Sequence, residues 1–190
     1  MALFRTVEPA AEPVTLAEAK AHLRVSHASE DELISGLIRA ARDEVEKACG
    51  LALIDQSWRL ALDCWPRHGT ALLPRHPIKE VLSVTVYGSD GEASLVDPGT
   101  YQLDSLSRPA RLHFEATPAP GRVMNGIEID FTAGFGEAGT DVPDILKRAI
   151  LVLVAHWYEF RGVYGAGDQP VSYPPGYDRM ISGYRARRIR

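Results

Sequence analysis

The stretch DVPDILKRAILVLVAHWYEFR, residues 141–161, is the most strongly apolar segment of the chain, and its reading decides the fold. Asp141 is placed to cap a helix, Pro143 suits its first turn, and Asp144 sets negative charge at the positive end of the helix dipole. Lys147, Arg148, His156 and Glu159 fall towards the two ends, whereas residues 149–155 are apolar on every side. A helix apolar all round is enclosed by protein or spans a membrane. A span takes about 20 apolar residues, and this run has seven. The spacing therefore predicts a central helix that protein must enclose.

Upstream, two further helices are predicted. Thr15-Leu16-Ala17-Glu18 is a capping box, in which hydroxyl and carboxylate each satisfy a free backbone N–H. Leu16, Ala19 and Leu23 then share one face. Ser29-Glu30-Asp31-Glu32 reads as a second box, followed by Leu33, Ile34, Leu37, Ile38, Ala41, Val45 and Ala48 at helical spacing. Gly50 fits a left-handed stop. Residues 1–13 are polar and Pro-punctuated, and are expected to form an extended arm that orders on a partner.

Between the helices the period drops from 3.6 to 2. Residues 57–63, 71–73, 81–87, 101–104, 111–114 and 127–132 read as short strands, with Ser89-Asp90-Gly91 turning one of them back. Close turns rich in Pro and Gly argue for small antiparallel sheets. The fold class is therefore α+β: two N-terminal helices and a long C-terminal one form a bundle, with an antiparallel β-region between them and an extended C-terminal tail. The expected organisation is one domain over 1–176. Within it lie the arm at 1–13, helices at 14–50, the β-region at 56–133, the central helix at 141–161 and a Gly/Pro-rich linker at 162–176. A basic docking segment occupies 177–190.

The chain has 190 residues, 45% of them hydrophobic and 24% charged, the composition of an ordinary globular domain. No apolar leader precedes residue 14, which points to synthesis in the cytoplasm, and no membrane partner is expected. Cys49 and Cys64 are too few for a disulfide framework and are read as packing residues. The net charge is −4, but residues 177–190 hold five arginines and one aspartate, leaving −8 on the remainder. A basic tail on an acidic body meets something that the body does not.

Candidate chemistry is thin. Gly134-Phe135-Gly136-Glu137-Ala138-Gly139 matches G-x-G-x-x-G between a strand and a helix. Glu137, Asp141 and Asp144 would repel a pyrophosphate there, no strand follows to complete a βαβ unit, and a turn explains the glycines. The six histidines, His22, His27, His68, His76, His113 and His156, show no metal-ligand spacing. His156 on the apolar helix reads as a packing residue rather than a base. No enzymatic activity, cofactor or metal is expected. Tyr177, Met180, Ile181, Tyr184, Arg185, Arg187, Arg188 and Arg190 form the one distinctive constellation. They suit docking on an acidic protein groove, gripping of nucleic acid by phosphate contacts and stacking, or a solvated tail.

A series of motifs adds a family. VTLAEAKAHLRV at 14–25 with EDELI at 30–34, ACGLALI at 48–54 with QSW at 56–58, and PIKEVLSV at 77–84 resemble head–tail connector (adaptor) proteins of tailed phages. Asp97-Pro98 with Tyr101, FTAGFG at 131–136, Val142-Pro143 through AHWYE at 155–159, and YRARR at 184–188 continue the series in order. The form with a central β-region is most similar to connectors of gene transfer agents and related prophages. The resemblance implies a non-enzymatic subunit of a ring, typically of twelve copies, at the head–tail junction of a virion or phage-like particle. Its partners would be further copies of itself, the portal protein, and a stopper or tail-terminator protein. Double-stranded DNA would pass through its channel without sequence-specific binding. It implies that the C-terminal constellation docks on the portal. It also implies that Leu33, Leu37, Ile150, Leu151, Val154, His156 and Trp157 pack the ring wall. An acidic body fits such a channel, because like charge weakens phosphate contacts. The rival reading is a nucleic-acid-binding protein that uses the arginine-rich tail.

Overall fold

The computed structural model describes residues 1–160 and 173–185. The chain divides into two compact units. One unit, residues 1–10 and 55–135, holds the strands; the other, residues 11–54 and 136–190, holds the helices.

The helical unit opens with α1 (Leu16–Leu23), started by the capping box as read: Glu18 N–H donates to Thr15 Oγ1 at 3.2 Å and Thr15 N–H to Glu18 Oε2 at 2.7 Å. The α2 helix (Asp31–Cys49) starts differently. Its N-cap is Glu30, whose side chain makes no capping hydrogen bond, and the Ser29 hydroxyl is taken by His27 Nδ1 at 2.8 Å. One face of α2, with Ile34, Ile38, Ala41, Val45 and Cys49, is buried. Gly50 closes the helix in the left-handed conformation, as expected. Four buried residues follow, Leu51 to Ile54. A buried loop must find partners for its backbone, and the side chain of Glu46 supplies one, accepting from Leu53 N–H at 2.7 Å. Glu46 is itself buried beside Arg42, whose guanidinium donates to Glu12 at 2.8 Å and to Asp43 at 2.9 Å.

The central helix α3 runs Asp144–Glu159, shorter at both ends than the sequence suggested. Asp141 does not cap it. Its carboxylate instead accepts from Ala138 N–H at 3.1 Å within a tight turn, and Pro143 takes the N-cap position. A residue before proline is barred from helical geometry, so the helix starts only after it. The short α4 (Tyr177–Ile181) packs on α3.

In the other unit, the first ten residues of the arm expected at 1–13 are no free arm. Ala2–Val7 forms β1, paired antiparallel with β2 (Gln56–Leu62). Leu3 and Arg5 turn to the half-buried side, and Arg5 lies 5.1 Å from the centre of the Trp58 ring. The remaining strands are β3 (Thr70–Leu73), β4 (Ile78–Tyr87), β5 (Ala93–Leu95), β6 (Tyr101–Asp104), β7 (Ala110–Phe114) and β8 (Ile127–Ala133). They build a five-stranded sheet in the order β1-β2-β8-β4-β5 and a three-stranded sheet β3-β7-β6, with all pairs antiparallel. Trp58, Leu60, Val84, Val86, Ile127, Ile129 and Phe131 fill the buried face of the first; Ala71, Leu73, Leu112 and Phe114 fill that of the second. The opposite face of the larger sheet is polar, and Arg59 there grips Asp130 through two bonds of 2.7 and 2.8 Å and Glu128 at 2.9 Å.

Removing Arg42 would leave the buried Glu46 carboxylate without its cation. Arg42→Ala is expected to cost about 3–5 kcal/mol of stability, read as a lower midpoint in urea unfolding; a loss below about 1 kcal/mol would show that Glu46 is held by its backbone contact alone.

Candidate functional site

No group of His, Cys, Asp and Glu among the described residues is arranged to hold a metal ion, and no described helix is long and apolar enough to cross a membrane. Protein packs tightly against the glycine motif. A Cβ on Gly134 would stand 2.5 Å from Asp55 N, and one on Gly136 2.1 Å from the Asp141 carboxylate. These glycines serve close packing; Gly136 and Gly139 do not adopt the positive φ that the turn reading called for.

A shallow groove of about 390 Å³ crosses the outer face of the small sheet, lined by Thr70, Gln102, Leu103, Asp104, Arg111 and His113. Its polar groups largely satisfy one another. Asp104 accepts from the Ser107 hydroxyl at 2.6 Å and from Arg111, which together hold its carboxyl well below the usual range. Thr70 Oγ1 meets His113 Nδ1 at 3.0 Å. The Arg111 and Asp104 charges on this face are paired with each other.

What the helical unit presents is partly exposed apolar surface. On α3, Leu146, Ala149, Ile150, Leu153 and Val154 are buried in their own chain. The opposite face carries Leu151, Val152 and Ala155, half-exposed and flanked by Arg148 and Glu159. The enclosure expected for an all-apolar helix is thus incomplete within one chain. Leu33 on α2 is 41% exposed and Ile145 on α3 is 42% exposed; Leu37 is half-buried. Of the seven residues assigned to ring-wall packing, Ile150 and Val154 are internal, whereas Leu33, Leu37, Leu151, His156 and Trp157 keep surface. His156 packs against the Phe160 ring at 4.8 Å. Val152, Ala155 and Ile145 were absent from that assignment, although their helical spacing opposite Leu146, Ala149 and Leu153 signals one face.

The C-terminal constellation divides. Tyr177 and Ile181 are buried in the helical unit, where Cys49 Sγ lies 3.9 Å from Ile181 O and burial raises the Tyr177 hydroxyl above its ordinary pKa. Their side chains anchor α4 and are not on offer to a partner. Tyr173 stacks on Tyr177 at 5.0 Å and donates to Glu44 at 2.6 Å. Met180 and Tyr184 are half-exposed and Arg185 is exposed, beside Asp178. Arg187, Arg188 and Arg190 lie outside the described residues, as does most of the linker expected at 162–176. Cys64 is exposed rather than packed; only Cys49 is a core residue.

Residues 13–89 match the model of a family described as phage gp6-like head-tail connector protein. Among solved structures, a chain of the neck of an empty gene transfer agent particle, computed with C6 symmetry, is 28% identical. It superposes with a TM-score of 0.82, covering 100% of this chain and 98% of its own. A chain from the virion of a native gene transfer agent particle gives 27% identity and a TM-score of 0.84 at the same coverage. A chain of the native neck computed with C12 symmetry gives 28% and 0.81, again over 100% and 98%. No curated protein matches in sequence. The resemblance to head–tail connectors, and to those of gene transfer agents in particular, is borne out.

Two histidines give the fold an acid limit. Burial lowers the pKa of His22, helped by Arg148, and that of His76, helped by Arg108. A lowered folded pKa means that the unfolded chain binds the proton first. The contribution is complete above about pH 6.5 and declines as pH falls through it. His76→Asn is expected to flatten the fall of melting temperature between about pH 7 and 5 relative to the parent; an unchanged slope would exclude His76 as a source.

Proposed function

We propose that this chain, whose residues 13–89 carry the match to the phage head–tail connector family, is a structural connector subunit in the neck of a phage-like particle of the gene transfer agent kind. The observation that carries the reading is the likeness to neck and virion chains over the whole length, with TM-scores of 0.81 to 0.84, rather than over one helix pair. In the finer reading, copies close into a ring between the portal and the stopper or tail terminator, and double-stranded DNA passes through its channel. Twelve copies accord with the C12 symmetry of one related neck, and C6 divides it evenly.

Three features support the ring. The half-exposed apolar face of α3 and the exposed Leu33 suit burial against a neighbouring copy. The body charge of −8 favours passage of DNA over adhesion. The chain ends in arginines and a tyrosine, suited to bidentate and stacking contacts on an acidic portal surface. With Tyr177 and Ile181 occupied internally, docking falls to Met180, Tyr184, Arg185, Arg187, Arg188 and Arg190. The role needs no catalysis.

In particle-producing cells, the full chain is expected to co-purify with the portal protein and to be imaged at the portal–tail junction. Deletion of residues 184–190 should abolish the association while leaving the melting transition in place. A chain absent from that junction would overturn the reading. A DNA mobility shift that weakens with salt and is lost on the same deletion would favour nucleic-acid binding instead.

A further inference from the structure

The five-stranded sheet ends in two open edges. Among the described residues β1 pairs only with β2, and β5 only with β4. Natural proteins guard such edges with proline, lysine, bulges or brevity, because unpaired N–H and C=O groups invite another strand. The six residues of β1, Ala-Leu-Phe-Arg-Thr-Val, contain no proline or lysine. Their single charge, Arg5, lies against the Trp58 ring and pairs with Glu8. One irregularity near Thr6 interrupts the pairing with β2, leaving Ala2 to Arg5 regular. Phe4 is 46% and Val7 57% exposed. On the far side β5 is short and uncharged, and its Leu95 is 76% exposed.

The two edges are unlike, and they lie at opposite ends of one sheet, roughly 19 Å apart over four strand spacings. An interface that repeats one edge on itself gives a two-fold dimer; joining unlike edges head to tail gives a ring when the rotation closes. We propose that a second copy of this chain covers each edge, with β1 of one subunit adding to β5 of the next, so that the sheets continue around the ring. This rests on the connector reading above. Four antiparallel steps separate β1 from β5, so the two run in the same direction and the new pair is parallel. Register places Phe4 opposite Arg59, and Ala93 and Leu95 opposite Tyr87 and Thr85, all on the polar face. Phe4 of one copy would therefore lie beside Ala93 or Leu95 of its neighbour on the same side of the joined sheet.

The test uses full-length protein in assembled particles, with the exposed Cys64 replaced by Ser and the buried Cys49 kept. Phe4→Cys is combined with Ala93→Cys or Leu95→Cys, since paired strands bring Cβ atoms within disulfide reach. Mild oxidation of one of the double variants should yield a ladder of linked subunits on a non-reducing gel, whereas each single variant stays a single band. Dimers from Phe4→Cys alone would mean two-fold pairing and overturn the proposal; so would a link from Phe4→Cys to a different protein. If imaging finds the variants at the portal–tail junction and no pair links, edge pairing is refuted and the connector reading stands. If the parent is absent from the junction, the connector reading itself falls.

Discussion

The path of the chain after α2 depends on one buried carboxylate. Leu51 to Ile54 run without solvent directly after α2, and their backbone must be satisfied within protein. Glu46 does this twice over: its main-chain carbonyl accepts from Leu51 N–H at 2.9 Å and its side chain from Leu53 N–H at 2.7 Å. A carboxylate so deeply buried is tolerable only beside a cation, which is the place of Arg42. Arg42 in turn reaches Glu12, ahead of the first helix. One chain of charge thus holds the end of α2, the loop after it, and the segment before α1 on α2.

Sequence showed much of this and missed parts for definite reasons. The capping box at Thr15, the stop at Gly50 and the alternation of Trp58, Leu60 and Leu62 are local, and the structure keeps them. Ser29 and Asp141 carry the right chemistry for caps, but each found a nearer partner, His27 and the Ala138 amide. Local competition of this kind leaves no periodic trace. The strand β1 was hidden because its charge, Arg5, packs on an aromatic ring, so a position that reads as solvent-facing points towards the core side. The Pro and Glu residues that follow made the whole segment look like an arm.

The partly exposed apolar face of α3 was half legible. Composition gave the apolarity of α3 but not which side its own chain leaves bare; that follows from where α1, α2 and α4 pack. The same holds for the tail, whose tyrosines look alike in sequence while Tyr177 is a core residue and Tyr184 keeps surface. Among the described residues no catalytic arrangement or ligand cradle points to a function. An ordered run of individually weak motifs points to a family resemblance instead, because such a series constrains a whole chain where a single site constrains a few atoms.

The strand unit takes its first strand from before the first helix and the rest from after the second, so the chain passes between the units three times. The β-region is therefore not a cassette that can be excised at two points. Residues 55–135 moved alone into another chain would leave the outer side of β2 bare, an open strand edge that invites misassembly. In lineage terms, gain or loss of this region requires a coordinated change at two places in the gene. That ties the presence of a β-region to the identity of the first ten residues.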